Sequence, residues 1–317
     1  MTAEPLPVQH VAAVKAEQEV SWLVKGIWPE QGVGFLAGHP KTCKSWLALD
    51  IALSVASRTA VLGNYPVPHG GPVLVFAAED SPPMVRARFA GMAAARGVSL
   101  EDLPIHLVLA DRLRLESEDD QARLRATLEM LQPALLILDP FVRMTGIDEN
   151  SAREVSQVLG YLRELQRSLG VAILVVHHVR KSPGNGGLAL RGSGDFWAWS
   201  DTNLYLHRKQ AGLELAVEHR SAPAPEPVRL ELFDEAQPGP YLRMCERESE
   251  ATPPTTLSER VMAFLEERPE AVKLDAIRGA LRVRMQSVVD VLRDLEEGGR
   301  VVRDERGCRA VPQADGG

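Results

Sequence analysis

Eight consecutive residues offer the clearest chemistry in this sequence. Gly38, His39, Pro40, Lys41, Thr42, Cys43, Lys44 and Ser45 follow the pattern G-x-x-x-x-G-K-[ST], except that cysteine stands where the second glycine belongs. In such a loop the backbone N–H groups at a helix start face phosphates, the lysine reaches the β and γ phosphates, and the hydroxyl ligates Mg2+. The segment is therefore a candidate site for ATP and Mg2+, with Lys44 supplying charge and Ser45 the hydroxyl. The same residues would also suit a plain strand-turn-helix corner. Three further polar endings follow apolar runs. Leu135 to Leu138 ends in Asp139, a form suited to holding Mg2+; Val73 to Ala78 ends in Glu79-Asp80, a candidate general base for polarising water; Val171 to Val176 ends in His177-His178, imidazoles able to hydrogen-bond a γ phosphate.

These endings matter only if the elements before them lie side by side. From Val33 to Phe233 short apolar runs alternate with helical patterns, which predicts an α/β fold with a mainly parallel sheet flanked by helices. The runs Val33 to Ala37, Val73 to Ala77, Ile105 to Leu109, Leu135 to Leu138 and Ala172 to Val176 are nearly continuous in apolar residues, as strands buried on both faces must be. Helical patterns cover Ser45 to Ser57, Pro82 to Ala95 and Arg153 to Ser168; in the last, Val155, Val158, Leu159, Leu162 and Leu165 form one stripe. Ligands of open α/β sheets bind at the carboxyl ends of strands, so the lysine loop, Glu79, Asp139 and the histidines would meet in one crevice. After Asp201 the period becomes two: Leu213, Leu215 and Val217, then Val228, Leu230 and Leu232, alternate with polar residues and predict an antiparallel edge.

The expected domain limits are an N-terminal arm at 1–21, an ATPase domain at 22–244, a linker at 245–256 and a small domain at 257–313. The linker CERESEATPPTT is charged and proline-containing. Beyond it, three short amphipathic helices and a hairpin around Asp304 to Gly307 suggest a winged helix-turn-helix domain.

Composition bounds the class. The chain has 317 residues, 45% of them hydrophobic and 25% charged, which suits a packed protein, and its net charge of −7 argues against a globally basic nucleic-acid binder. No signal-like start is present, and no apolar run nears the roughly 18 residues of a bilayer span, so the expectation is a cytoplasmic protein without membrane contact. Three scattered cysteines, Cys43, Cys245 and Cys308, agree with a reducing compartment.

The pieces FLAGHPKTCKSWLALDIALSVA, VLVFAAEDSP, LLILDPFVRMTGIDEN, VAILVVHHVRK and LRGSGDFWAWSDTNLYLHRKQ together resemble the RecA-like ATPases of the RepA and AAA_25 type, which are related to the DnaB-like ring helicases. The resemblance runs from about Trp22 to Phe233. It implies Lys44 and Ser45 on phosphate and Mg2+, Glu79 as base, Asp139 on Mg2+ and His178 as γ-phosphate sensor, with His177 structural. It also implies that Arg208, closing its strand, enters a neighbouring subunit's ATP site as a finger, with Lys209 as the alternative cation; such a group speeds phosphoryl transfer by ~10³-fold or more. Arg191 would contact nucleotide or the subunit interface, or form a surface salt bridge. Asp80 rivals Glu79, or caps the helix starting near Pro82.

A finger acting in trans implies a homo-oligomer, and the resemblance makes it a hexameric ring. Two readings of its work stand together: a DNA helicase or translocase of replicative or mobile-element type acting on single-stranded DNA, or a nucleotide-switched regulatory ATPase that binds a partner or operator without unwinding. A third class is a degenerate binding module. The segment RKSPGNGGLALRG, with Arg180 and Lys181, would track DNA in the first, although it is poor in aromatic residues. The small domain presents Arg282, Arg284, Gln286 and Ser287 to duplex DNA, with Arg303, Arg306 and Arg309 on its wing, or else binds protein. Cys43, at a helix N-terminus beside Lys41 and Lys44, is expected to ionise readily.

Overall fold

The apolar runs become adjacent strands of one sheet, and all but the one at Ile105, whose residues are half-buried or exposed, are buried on both faces. The computed structural model describes residues 6–14, 20–110, 112–179, 194–209, 212–233, 239–245, 256–268, 270–281, 283, 285–304 and 306–311. A short antiparallel pair, β1 (Trp22–Val24) and β2 (Trp28–Pro29), precedes β3 (Val33–Gly38). There follow α1 (Lys44–Ser57), β4 (Val73–Ala77), α2 (Pro82–Arg96), β5 (Ile105–Leu107), α3 (Glu118–Leu131), β6 (Leu135–Asp139), α4 (Ala152–Leu169) and β7 (Ala172–His178). The first unit ends with α5 (Asp195–Trp199), β8 (Thr202–Lys209), β9 (Gly212–His219), β10 (Val228–Phe233) and β11 (Tyr241–Cys245).

The nine-stranded sheet has the order β11-β10-β9-β8-β3-β7-β6-β4-β5. From β8 to β5 neighbours run parallel, and β9, β10 and β11 extend the β8 edge antiparallel. Successive residues of a strand point to opposite faces. Leu36, Val73, Val75, Leu135 and Ile137 accordingly join the core beneath α1 and α2, while Phe35, Leu74, Phe76, Leu136 and Leu138 join the core beneath α3 and α4. Each such side chain contributes about 1.5–3 kcal/mol by leaving water, so two full cores fix the sheet order firmly.

The α4 stripe behaves as its spacing predicts: Val155, Val158, Leu159, Leu162 and Leu165 are all buried. Ser151 caps the helix by accepting from Glu154 N, and Gly170 ends it with φ 66°. The run read as a strand to Leu109 stops at Leu107, and Leu109 is 71% exposed. Among the described residues β5 is the outermost strand, with no neighbour on one side to extend it. α3 buries only Leu124 and Leu128 among its residues, too thin a stripe to stand out by periodicity. No helix among the described residues is long and apolar enough to cross a membrane.

A second compact unit, Arg247–Gly317, contains α6 (Leu257–Glu266), α7 (Leu274–Leu281), α8 (Met285–Glu297) and the antiparallel pair β12 (Val301–Asp304) and β13 (Gly307–Ala310). Thr256 and Glu259 close a capping box on α6. Val261, Leu265, Ile277, Val288, Leu292 and Leu295 form its core with Val301 and Cys308. Arg303, Arg306 and Arg309 are exposed, whereas Arg282, Arg284 and nearly all of the linker lie outside the described residues.

Candidate nucleotide site

β3 lies between β7 and β8, so the loop that follows it opens at the middle of the sheet's carboxyl edge. Gly38 is required there by space: a Cβ would sit 2.5 Å from the Leu206 carbonyl oxygen and 2.8 Å from Thr42 Oγ1. His39 offers its carbonyl as an internal anchor, accepting from Thr42 Oγ1 at 2.8 Å and from Lys44 Nζ at 2.9 Å. Lys41 and Cys43 both take left-handed backbone angles, with φ of 63° and 62°. Cys43 is also the N-cap of α1 and makes no side-chain capping bond. The glycine of the usual pattern would adopt this conformation without strain, and cysteine holds it at a cost of about 1–2 kcal/mol.

The loop from Pro40 to Ser45 lines a cleft of about 390 Å3, and Glu79, Asp139 and His178 line the same cleft. Register explains the meeting: Ala77 pairs with Asp139 across β4 and β6, and Gly38 pairs with His178 across β3 and β7. Burial lowers the Lys44 ammonium from its ordinary pKa, opposed by the charges of Asp139 and Glu79. Asp139 is pushed up to about 6, chiefly by burial, with the Ser45 hydroxyl bonded to it and Lys44 acting in the other direction. A buried carboxylate with a hydroxyl at its side is a hard oxygen pair that a divalent cation would restore to its ordinary charged form. Among the described residues no cluster of three or more His, Cys, Asp or Glu could hold a metal alone. This donor set fits Mg2+, which is bound by one or two protein oxygens together with substrate phosphates.

Glu79 and Asp80 are separated by their partners. Asp80 is bonded by both terminal nitrogens of Arg88, at 2.5 and 3.1 Å, and the Arg88 guanidinium stands 5.1 Å from the Trp46 ring. Asp80 therefore does not cap α2; Ser81 is the N-cap and Pro82 opens the helix. Among the described residues, Glu79 is committed through Oε1, which accepts from Arg143 Nε at 2.9 Å. The two histidines part for the same alternation that splits the cores. His177 is 1% exposed and packs against Phe35, Phe141 and Phe196, while His178 faces the cleft.

Arg208 is exposed at the end of β8, and its Nη2 donates to the carbonyl of Lys41 in the chain's own loop at 2.9 Å. Lys209 beside it pairs with Glu214 at 3.3 Å. Arg191 lies outside the described residues, as does the segment from Arg180 to Ser193. The expectation that Cys43 ionises readily is overturned: burial raises its thiol pKa, outweighing the lowering by Arg208 and Lys44. Trp46, Arg88 and Arg143 were not legible as site residues in the sequence. Trp46 directly follows Ser45 and Arg143 falls four residues after Asp139, but neither carries a motif of its own.

A family model for AAA domains, AAA_25, matches residues 2–184, more than half of the chain. Comparison with curated proteins finds no match. Among solved structures, a DnaB-like replicative helicase, described with its interactions with primase, aligns with a TM-score of 0.53 at 15% identity, over 69% of this chain and 63% of that one. The RadB recombinase aligns at 0.48 with 17% identity over 64% of this chain and 88% of that chain. A KaiC-like protein from the hyperthermophilic archaeon Pyrococcus horikoshii OT3 aligns at 0.46 with 16% identity over 69% and 93%. At such identities the likeness is one of fold. A family model covering the phosphate loop and the parallel strands β3 to β7, on a fold shared with RecA-like proteins, makes this chain a member of the AAA_25 family with a P-loop on a RecA-like fold.

Proposed function

We propose that the protein hydrolyses ATP in the cleft at the carboxyl edge of its sheet, within a homo-oligomeric, hexameric ring, and that it works as a DNA helicase or translocase of replicative or mobile-element type. The observation that supports this most is the convergence of Lys44, Ser45, Glu79, Asp139 and His178 on one cleft. Lys44 leaves the His39 carbonyl and turns its charge to the β and γ phosphates. Ser45 and Asp139 hold Mg2+, which when bound neutralises charge on the triphosphate. Glu79 takes a proton from water as its oxygen attacks the γ phosphorus and the bond to the bridging oxygen breaks. His178 bonds the γ phosphate and loses that partner on release. Arg208 of a neighbouring subunit, with Lys209 beside it, completes the charge compensation, and Arg191 faces the nucleotide or the subunit interface.

The small unit is read as a winged helix-turn-helix domain that contacts duplex DNA or a protein partner, joined by the linker at 245–256 to the ATPase domain at 22–244. Hydrolysis is measured with and without single-stranded DNA at known oligomeric state. Stimulation by the DNA, with Glu79→Gln inactive yet still binding ATP, is the expected result. Hydrolysis indifferent to DNA would sink the helicase reading and leave the nucleotide-switched regulator.

A further inference from the structure

Glu79 stands beyond the end of β4, in a short connection, and nothing on that connection aims its carboxylate. The aim comes from the neighbouring strand. Ala78 N donates to the Asp139 carbonyl at 2.8 Å, so the chain leaving β4 starts beside the chain leaving β6. One short 3-10 turn after Asp139, Arg143 Nε reaches Glu79 Oε1 at 2.9 Å. That turn is held firmly. Phe141 and Met144 are both fully buried, Phe141 packs edge-to-face on His177 and Phe196, and the Met144 carbonyl accepts from Leu115 N at 2.9 Å. On the other side, Asp80 is tied to α2 by the two bonds from Arg88. Both ends of the Glu79–Arg143 pair thus spring from fixed backbone, while the pair itself is open to water, with side chains 52% and 62% exposed.

We propose that Arg143 is a positioning residue for ATP hydrolysis: it ties Oε1 of Glu79, so that the carboxylate presents Oε2 to the attacking water. The proposal rests on the reading of Glu79 as the base. A base oriented by a third group is a recurrent arrangement in activated catalytic pairs, and among the described residues Arg143 engages one of the two carboxylate oxygens. Arg143 lies outside the lining of the cleft, so it can act on the reaction without contacting nucleotide. An ion pair this exposed adds little to folding, so its loss should leave the fold intact while releasing the base from its orientation.

The test uses the full chain with Arg143→Met, Arg143→Lys and Glu79→Gln, comparing kcat, KM, ATP affinity and melting temperature. Arg143→Met is expected to lower kcat by about tenfold or more, with KM and ATP affinity within about twofold of the parent. Arg143→Lys is expected to recover much of that loss, because an ammonium can still donate to Oε1. Full kcat in Arg143→Met, alongside an inactive Glu79→Gln, would overturn the positioning role and leave the base standing. Normal turnover in Glu79→Gln would instead remove the base and this proposal with it. A loss in Arg143→Met that Arg143→Lys does not recover, accompanied by weaker ATP binding or early melting, would mean a structural part and also overturn it.

Discussion

Cys43 holds a φ of 62° at the position where the phosphate-loop pattern has glycine, and this backbone angle is the reason for glycine there. Replacing it by glycine removes about 1–2 kcal/mol of strain and returns roughly 0.4–1 kcal/mol through the freer unfolded chain. Cys43→Gly should therefore be slightly more stable by denaturant unfolding, and bind ATP at least as tightly by calorimetry. Because burial raises the thiol pKa, alkylation of Cys43 should be slow at neutral pH and quicken only in alkaline solution, with ATP protecting; fast alkylation at neutral pH would contradict this. His219 gives a second prediction for single residues. Its Nε2 faces the Gly26 carbonyl, which can only accept, so Nε2 carries the hydrogen, and in the neutral ring Nδ1 accepts from the Thr202 hydroxyl. Burial lowers its pKa, partly opposed by the Gly26 bond. The unfolded chain thus binds more protons than the folded one as pH falls below the ordinary histidine value of about 6.5, and stability must fall with it. Melting temperature should drop between neutral and mildly acidic pH, and drop less in His219→Gln.

At the scale of elements, the site depends on α1 and α2 keeping station, since one opens with Lys44 and Ser45 and the other follows Glu79 and Asp80. A buried ion pair joins them. Asp50 on α1 is paired with Arg96 on α2, with side chains only 2% and 17% exposed. Asp50 also accepts from Leu62 N at 2.9 Å, and Arg96 donates to Ser54 Oγ at 2.8 Å. Burial raises the Asp50 carboxyl pKa, and the Arg96 charge opposes that rise. Removing one member strands the other charge away from water, so Asp50→Ala should cost about 3–5 kcal/mol in urea unfolding. A loss below about 1 kcal/mol would mean that the pair is solvated in solution. An aspartate inside WLALDIALSVA signals a buried partner, but Arg96 lies on a different helix and no local pattern points to it.

For the whole molecule, the proposed role of Arg208 in a neighbouring subunit's site is tested by mixing variants. Its contact with the Lys41 carbonyl puts it beside its own loop, on an exposed strand end from which a neighbouring subunit's site could be reached. Mixing decides between the two. Arg208→Ala and Glu79→Gln should each be inactive alone. If Arg208 acts in trans, an equimolar mixture regains activity, because about a quarter of randomly formed interfaces in a closed ring combine an intact Glu79 with an intact Arg208. If it acts in cis, no interface is complete and hydrolysis stays at the level of the single variants.

The sheet class, the phosphate loop and the polar strand ends were legible in the sequence, because each is a local property: continuous apolar runs mark doubly buried strands, and motif spacing marks the turn between β3 and α1. The α4 stripe was legible for the same reason. What the sequence left open turns on which residues the fold makes neighbours. Glu79 and Asp80 are neighbours with the same chemistry, and only the approach of Arg88 to one and Arg143 to the other distinguishes them. His177 and His178 differ only in the face to which β7 turns them. Cys43 looked reactive from its charged neighbours, whereas its burial, invisible in the sequence, outweighs them. Ion pairing and desolvation depend on which elements the sheet order brings together, and that order belongs to the tertiary structure.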